Sequence, residues 1–277
     1  MPQPETEGRA GVTKLLIATP AYGDVYYTPY VTSVMNLARA MNKRRWDFSF
    51  VTIAYSEIAE SRNYLLTYWF DKTDASHILF IDTDMGFEPE LIVDMVALNK
   101  PIVGVIYPKR NINFNRVAEF AARGEPTNRA VGKAQEYIFR RLPRGTQPKT
   151  QDGFLEVEAC GTGILLIQRS CIETMLRQIP TLSDTNKNNI RLHKTLDRII
   201  RTFDVMRDAD GNRLSEDYSF CHRWRHSCNG EIWASQSHEI VHVGLHQFRA
   251  RYIDSLPGVT TGKLTVRPVL SSKGKPA

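Results

Sequence analysis

The sequence lacks the apolar runs and the cysteine content of two broad classes of protein. No apolar run approaches the roughly 18 residues that a membrane-spanning helix needs, so we expect no membrane span. The first ten residues are polar and contain no apolar segment typical of a secretory signal peptide. Four cysteines in 277 residues are too few for a disulfide framework and predict reduced thiols. These absences together predict a cytoplasmic protein.

A strong charge of one sign is also missing. The net charge is +6, from 36 basic and 30 acidic residues, and the basic residues are scattered apart from a cluster between Lys133 and Lys149 and the stretch after Lys263. A mild positive charge suits a phosphorylated small ligand as well as a nucleic acid. Because reading the chain gives no nucleic-acid recognition motif, we expect no nucleic-acid partner.

The most informative segment is an apolar run that leads directly into two acids. Ile78 to Ile81 predict a strand buried on both faces, and Asp82-Thr83-Asp84 follow it. The acids should therefore lie at the carboxyl edge of the sheet, where open α/β sheets bind ligands. In extended chain Asp82 and Asp84 would point the same way, and a Mg2+ or Mn2+ ion between them would offset their repulsion. The alternative is an acidic turn in which Asp84 or Glu88 caps the helix that begins at Pro89.

Strands and helices alternate on both sides of this segment. The predicted strands are 14–18, 48–54, 78–81, 102–107, 155–158, 164–167 and 239–243. The predicted helices are 29–43, 57–70, 89–98, 114–123, 170–178 and 214–226. This alternation predicts a doubly wound sheet with helices on both faces. Residues 141–151 are basic and turn-rich, and we expect a surface excursion there.

Three further motifs each have a functional and a structural interpretation. Ser215-Glu216-Asp217 is either a helix cap or a carboxylate that accepts a proton from a hydroxyl substrate. His242 is either a core residue or a second metal ligand. Cys221, His222, His226 and Cys228 suggest zinc, but their spacing matches no usual zinc site.

Glycines and basic residues near the expected ligand edge are also candidates. Gly161-Thr162-Gly163 precedes a strand, which excludes a dinucleotide fingerprint, so we expect these glycines to let a substrate approach the backbone. Arg62, Lys109 and Arg110 could each hold a phosphate or be solvated surface charges.

Taken in order from Leu15 to Phe248, these motifs resemble those of GT-A fold glycosyltransferases, in particular small family-2-like members of bacteria and phages. The resemblance implies an α/β fold of GT-A type, in which a Rossmann-like nucleotide-binding half with a mixed central sheet flanked by helices is fused to an acceptor-binding half. It also implies a disordered leader, one catalytic domain and a flexible tail. Their bounds are 1–12 for the leader, 13–255 for the domain (13–110 nucleotide-sugar half, 111–153 variable loops, 154–255 acceptor half) and 256–277 for the tail.

The same resemblance implies roles for individual residues. Asp82, Asp84 and His242 would bind Mn2+ or Mg2+, and the Glu216–Asp217 pair would supply the catalytic base, Asp217, of an inverting enzyme. Gly161 and Gly163 resemble the glycine segment that borders the acceptor site. The predicted ligand-binding set is Thr19, Pro20, Ala21, Tyr22, Arg62, Asn63, Asp82, Lys109, Gly161 and Gly163.

The resemblance therefore implies transfer of a sugar from a nucleotide-diphosphate sugar to an acceptor hydroxyl. A UDP-sugar is the first choice of donor and GDP-mannose the second. Processive synthesis is not expected, because the glutamine that processive members carry three residues before Arg223-Trp224 is absent. Two alternatives stay open: a HAD-like phosphohydrolase with Asp82 as nucleophile and Asp84 as acid, and a non-catalytic nucleotide-sugar or nucleic-acid binding protein.

Overall fold

The computed structural model describes residues 13–186 and 196–245. The strands are β1 (Lys14–Pro20), β2 (Asp47–Ile53), β3 (His77–Ile81), β4 (Met85–Gly86), β5 (Ile102–Val105), β6 (Tyr107–Pro108), β7 (Tyr137–Arg140), β8 (Thr150–Gln151), β9 (Phe154–Val157), β10 (Ala159–Cys160), β11 (Ile164–Gln168), β12 (Ser183–Asp184), β13 (Ile199–Ile200), β14 (Ile232–Ser235) and β15 (Val241–His242). The helices are α1 (Thr28–Arg44), α2 (Ile58–Lys72), α3 (Pro89–Ala97), α4 (Phe114–Ala122), α5 (Thr127–Ala134), α6 (Arg169–Gln178) and α7 (Glu216–His222).

A mixed eight-stranded sheet organises these elements in the order β2-β1-β3-β11-β5-β14-β9-β8. Strand β1 pairs in parallel with β2 and β3, and β14 pairs in parallel with β5. Strand β11 is antiparallel to both β3 and β5, so β3 and β5 run in the same direction. The chain therefore leaves β1, β3, β5 and β14 at one common carboxyl edge. The predicted mixed sheet flanked by helices is confirmed.

Strand β3 shows why the sheet is covered on both faces. Ile78 and Phe80 pack into one apolar cluster with residues of α2, α6 and α7, whereas Leu79 and Ile81 pack into a second cluster with residues of α1 and α3. All four side chains are fully buried. Burial of each contributes roughly 1.5–3 kcal/mol. A strand with apolar residues at every position needs two apolar layers, and this one has them, as predicted.

The short antiparallel pairs extend the carboxyl edge. Strand β4 follows the acidic turn after β3 and pairs with β15, which carries His242. Strand β6 continues from β5 into a second small sheet, β10-β7-β6. These pairs bring residues that are distant in sequence to the edge where β3 and β5 end.

The structure differs from the sequence-based elements in a few places. The predicted strand 102–107 ends at Val105, and Tyr107 begins β6 in the other sheet. The predicted helix 214–226 is α7 followed by a wider π-helical turn, Arg223–Ser227. That turn carries Trp224, whose indole donates to the Glu231 carbonyl at 2.9 Å. Helix α5 and strand β14 were not predicted.

Parts of the predicted domain organisation lie outside the described residues. These parts are the leader 1–12, the stretch 187–195 and everything after Leu245, including the tail 256–277. The described residues up to Gly244 belong to one compact unit, and the predicted domain bounds stay a prediction. Among the helices of the described ranges, none combines the length and the apolar content that a membrane span requires.

Candidate active site

Asp82 and Asp84 lie on a tight turn at the carboxyl end of β3. The Met85 N–H donates to the Asp82 carbonyl at 3.1 Å, and the Asp82 N–H donates to the Gly163 carbonyl at 2.9 Å. The expectation that this segment is extended, with both carboxylates aimed one way, is therefore wrong. The backbone is the acidic turn of the alternative interpretation, although Glu88 makes no side-chain capping bond to α3. The two carboxylates contact different cationic side chains.

Arg62, in the second turn of α2, contacts the first of these carboxylates. Its Nη2 lies 3.0 and 3.1 Å from the two oxygens of Asp82, and its Nη1 donates to Glu216 Oε1 at 2.5 Å. The Arg62 side chain is only 4% exposed. Removal from water opposes its charge, but attraction to Asp82, Glu216 and Asp217 outweighs this and raises the pKa of Arg62. Arg62 stays charged and holds the two carboxylates in fixed positions.

The second carboxylate, Asp84, faces His242. The His242 Nδ1 lies 2.7 Å from the Pro108 carbonyl, so this nitrogen donates, and in the neutral imidazole Nε2 carries the lone pair. That Nε2 lies 3.5 Å from Asp84 Oδ2, and both side chains are mostly buried. The Val243 N–H donates to the Asp84 carbonyl at 2.8 Å and fixes the two segments together.

Two acceptor atoms that face each other suit a cation between them. A carbonyl bonded to one imidazole nitrogen is the usual support for a histidine whose other nitrogen binds a metal. Mg2+ commonly takes one or two protein ligands and completes its shell with phosphate oxygens and water. Among the described residues, no group of three or more His, Cys, Asp or Glu side chains is arranged to hold a metal. Asp84 and His242 therefore offer a divalent cation two protein ligands, and its other ligands would have to come from a substrate or from water.

The two basic residues after β6, both of them predicted candidates for phosphate binding, have different partners. Lys109 Nζ donates to Glu136 Oε2 at 2.8 Å, and both side chains are more than half exposed. Arg110 Nη1 donates to Asp84 Oδ2 at 2.9 Å. Adjacent residues project to different sides of the chain, and the structure brings Arg110, rather than the predicted Lys109, to the acidic turn.

Gly161 and Gly163 make room for a protein side chain. A Cβ at Gly161 would lie 2.2 Å from Tyr107 Oη, and one at Gly163 would lie 2.9 Å from Tyr107 Cζ. The Tyr107 ring also makes an edge contact with His242 at 5.1 Å between centroids. Burial raises the pKa of Tyr107, and the charges of Asp82 and Asp217 act in the same direction. Close packing against Tyr107 therefore accounts for the two buried glycines, and this contact was not predicted from the sequence. That the glycines let a substrate approach the backbone stays a prediction.

Thr19, Pro20, Ala21 and Tyr22 span the end of β1 and the start of the turn that follows it, and the first three are buried. Thr19 shares a hydrogen bond of 2.7 Å with the Tyr30 hydroxyl, and the Ala21 N–H donates to the Ile53 carbonyl at 2.9 Å. Pro20 is buried as well, whereas Tyr22 is 73% exposed. Of the four predicted nucleotide-contacting residues, Tyr22 therefore offers its side chain to a ligand.

Asn63 is fully buried beside Arg62. Its Nδ2 donates to Asp204 at 2.7 Å, and its Oδ1 accepts from the Phe203 N–H at 2.9 Å. The amide thus ties α2 to the segment 203–204, and both of its polar atoms have protein partners.

Asp217, in the first turn of α7, has one oxygen bonded and one free. Its Oδ1 accepts from the Ser215 hydroxyl and, at 2.8 Å, from the Tyr218 N–H. No hydrogen bond to Oδ2 is found in the described ranges. Ser215 occupies the N-cap position but makes no side-chain capping bond. Asp217 is half-buried and acts electrostatically on both Arg62 and Tyr107, so it belongs to the same cluster as Asp82.

No protein-family model and no curated protein matches this chain. Solved structures are similar to it at low identity. They include A197 from STIV (13% identity, 86% of this chain and 98% of that chain, TM-score 0.41), a glycosyltransferase involved in the glycosylation of the major capsid of PBCV-1 (10%, 60% and 68%, 0.28) and GalNAc-T7 with UDP, GalNAc and Mn2+ (7%, 83% and 43%, 0.41). At TM-scores of 0.28 to 0.41 these similarities assign no activity to this chain.

Proposed function

We propose that the protein is a metal-dependent glycosyltransferase that moves a sugar from a nucleotide-diphosphate sugar to an acceptor hydroxyl with inversion. The proposed donor is a UDP-sugar, and GDP-mannose is the second choice. The observation that supports this most is the pair formed by Asp84 and His242, whose acceptor atoms face each other at 3.5 Å beside the carboxyl end of β3. Ligands lie at this edge in open α/β sheets.

The proposed metal is Mn2+ or Mg2+, held by Asp84 and His242 and shared with Asp82. When bound, the ion would neutralise charge that develops on the diphosphate leaving group. Arg62 holds Asp82 through both carboxylate oxygens. This support keeps Asp82 in place as the negative charge of the donor approaches.

Asp217 is proposed to be the general base. The Ser215 hydroxyl and the Tyr218 N–H bind its Oδ1, which leaves Oδ2 to accept the acceptor's proton. As the acceptor hydroxyl loses its proton to Asp217, its oxygen bonds to the anomeric carbon. The bond from that carbon to the diphosphate oxygen breaks at the same time, so the configuration inverts. Glu216 Oε1 is fixed by Arg62, and its Oε2 is proposed to orient the acceptor.

A cleft of about 460 Å³ is the proposed position of the acceptor. Its lining includes residues between 141 and 148 together with Ile106, Phe139 and Gln236. Ile106 and Gln236 directly follow β5 and β14, so the cleft opens at the same sheet edge as the acidic turn. The guanidinium of Arg140, next to Phe139, lies 4.5 Å from the ring centroid of Tyr218 and connects this wall to α7.

The alternative of a phosphohydrolase is less well supported. Both oxygens of Asp82 accept from Arg62, and a carboxylate paired with a guanidinium is a weaker nucleophile than that mechanism needs, although each oxygen keeps a second lone pair. Asp84 would be the acid in that mechanism, but its carboxylate pairs with Arg110. A non-catalytic nucleotide-sugar or nucleic-acid binding protein would still fit a buried, charged cluster, so an activity assay has to decide.

The test is incubation with a panel of UDP- and GDP-sugars plus Mn2+, read as released nucleotide. Glycosyltransferases hydrolyse their donor slowly when water replaces the acceptor, so the panel needs no acceptor at first. We expect release of UDP or GDP that stops with EDTA and returns with added Mn2+. Release of inorganic phosphate from a phosphomonoester would identify the hydrolase instead. Nucleotide binding without release from any donor would identify the binding protein.

A further inference from the structure

Arg110 contacts the oxygen of Asp84 at which a cation held jointly with His242 would bind. Its Nη1 donates to Asp84 Oδ2, the same oxygen that faces His242 Nε2. The Arg110 side chain is 53% exposed, and Asp84 is 18% exposed. Arg110 makes no other hydrogen bond within the residues that the structure describes. Its guanidinium is therefore held at one nitrogen only, on a side chain that is half exposed.

Gly244 fixes the stem of Arg110. A Cβ at Gly244 would lie 2.9 to 3.2 Å from Arg110 Cβ, Cγ and Cδ, so the aliphatic stem lies directly on the glycine backbone. Gly244 follows His242 by two residues, which ties the stem to the strand that carries the imidazole. With the stem held and the head exposed, the guanidinium can turn away from Asp84 while it stays within one side-chain length of it.

We propose that Arg110 is a diphosphate-binding residue of the donor site, which contacts Asp84 until a divalent metal ion takes that carboxylate oxygen. This inference rests on the proposed function. Two positive groups cannot share Asp84 Oδ2 closely, because their repulsion would offset the attraction of one carboxylate. A guanidinium displaced from Asp84 stays next to any phosphate bound by the metal. Its planar set of N–H groups then binds two phosphate oxygens at once.

The proposal predicts opposite changes in two binding constants. Arg110→Ala removes a competitor for Asp84, so Mn2+ alone should bind roughly threefold to tenfold more tightly, as measured by electron paramagnetic resonance of free Mn2+. The same variant loses a charge-assisted bond to the donor. Calorimetric titration of UDP and of GDP at saturating Mn2+ should therefore show roughly tenfold or more weaker binding.

Lys109 provides a matched control, since it is the adjacent residue of the same charge. Its ammonium pairs with Glu136 at an exposed site, so Lys109→Ala should change both constants by no more than about twofold. Arg110→Lys keeps a competing charge but loses the planar fork, so its Mn2+ affinity should match the wild type while its diphosphate affinity lies between the wild type and the alanine variant.

Several results would overturn the proposal. If Arg110→Ala weakens Mn2+ binding, Arg110 supports the metal site and does not compete for it. If its nucleotide affinity equals that of the wild type, Arg110 is a surface ion pair. If Lys109→Ala produces the larger loss, the sequence-based assignment of Lys109 stands. These outcomes require only that the wild type binds UDP or GDP with Mn2+. Absence of wild-type nucleotide binding would instead refute the proposed function.

Discussion

Replacement of Arg62 by methionine tests the charge cluster on which the candidate site depends. Methionine is similar in length and apolar, so the variant removes the guanidinium with little change in packing volume. It leaves Asp82 and Glu216, whose side chains are 27% and 19% exposed, without the charge that offsets their burial. Removal of one partner from a buried ion pair costs about 3–5 kcal/mol. In a domain of this size each kcal/mol lowers the melting temperature by about 2–4 °C, which gives a decrease of roughly 6–20 °C.

The pH dependence of this loss has a definite sign. Removal from water already raises the pKa of Asp82, and Arg62 opposes that shift. The variant lacks this opposition, so its folded-state pKa rises further above the unfolded value. A carboxyl group whose pKa is raised on folding stabilises the folded state at pH values below its unfolded-state pKa. This stabilisation is lost as the pH rises through the folded-state pKa. The variant should therefore lie closest to the wild type at acid pH and furthest below it at neutral pH, in urea unfolding followed by fluorescence.

Two further variants complete this experiment. Arg123, the residue after α4, pairs with Glu119 at an exposed site, so Arg123→Met should change the unfolding free energy by less than about 1 kcal/mol. Addition of Asp82→Asn and Glu216→Gln to Arg62→Met removes the unpaired charges and should recover part of the loss. A melting temperature of Arg62→Met equal to that of the wild type would refute the structural role, and no recovery in the triple variant would refute its electrostatic cause.

Three other predictions follow from the same cluster. Asp217→Asn should lower sugar transfer by roughly 100-fold or more while nucleotide binding and melting temperature hold, because only the base is lost; near-normal transfer, or a product that retains the donor's anomeric configuration by NMR, would contradict this. Asp84→Ala should weaken Mn2+-dependent UDP or GDP binding more than any other single acid replacement, and tight binding in EDTA would contradict the shared metal. Gly161→Ala should lower the unfolding free energy by about 1–3 kcal/mol, because the added Cβ would overlap the Tyr107 hydroxyl. Addition of Tyr107→Phe to that variant removes the hydroxyl and should recover part of the loss.

Much of the fold could be predicted because its strands are buried on two faces. A run such as Ile78 to Ile81 has no polar position, and this pattern has few structural solutions other than a covered sheet. The unpredicted strand β14 is only four residues long and contains Trp233 and Ser235, so its sequence carries little periodicity. Its position in the sheet depends on pairing with β5 and β9, which are distant in the chain.

The candidate site was harder to predict because its contacts connect distant segments. The acids and His242 could be named from their positions after apolar strands. The sequence could not show that Arg62 would bind two carboxylates, since Glu216 comes from the other half of the chain. Nor could it decide between Lys109 and Arg110. Which of the two side chains points towards Asp84 depends on the backbone conformation just after β6. That conformation is set by pairing with segments that are distant in the chain.

The packing of Tyr107 between two glycines has a consequence for how this sequence can change over time. Gly161 and Gly163 can gain a side chain only after Tyr107 has become smaller, and a smaller residue at 107 leaves a void until one of the glycines is replaced. Each single step costs stability, whereas the combined change need not. The three positions should therefore vary together among homologous chains, and a lineage that keeps the tyrosine should keep both glycines.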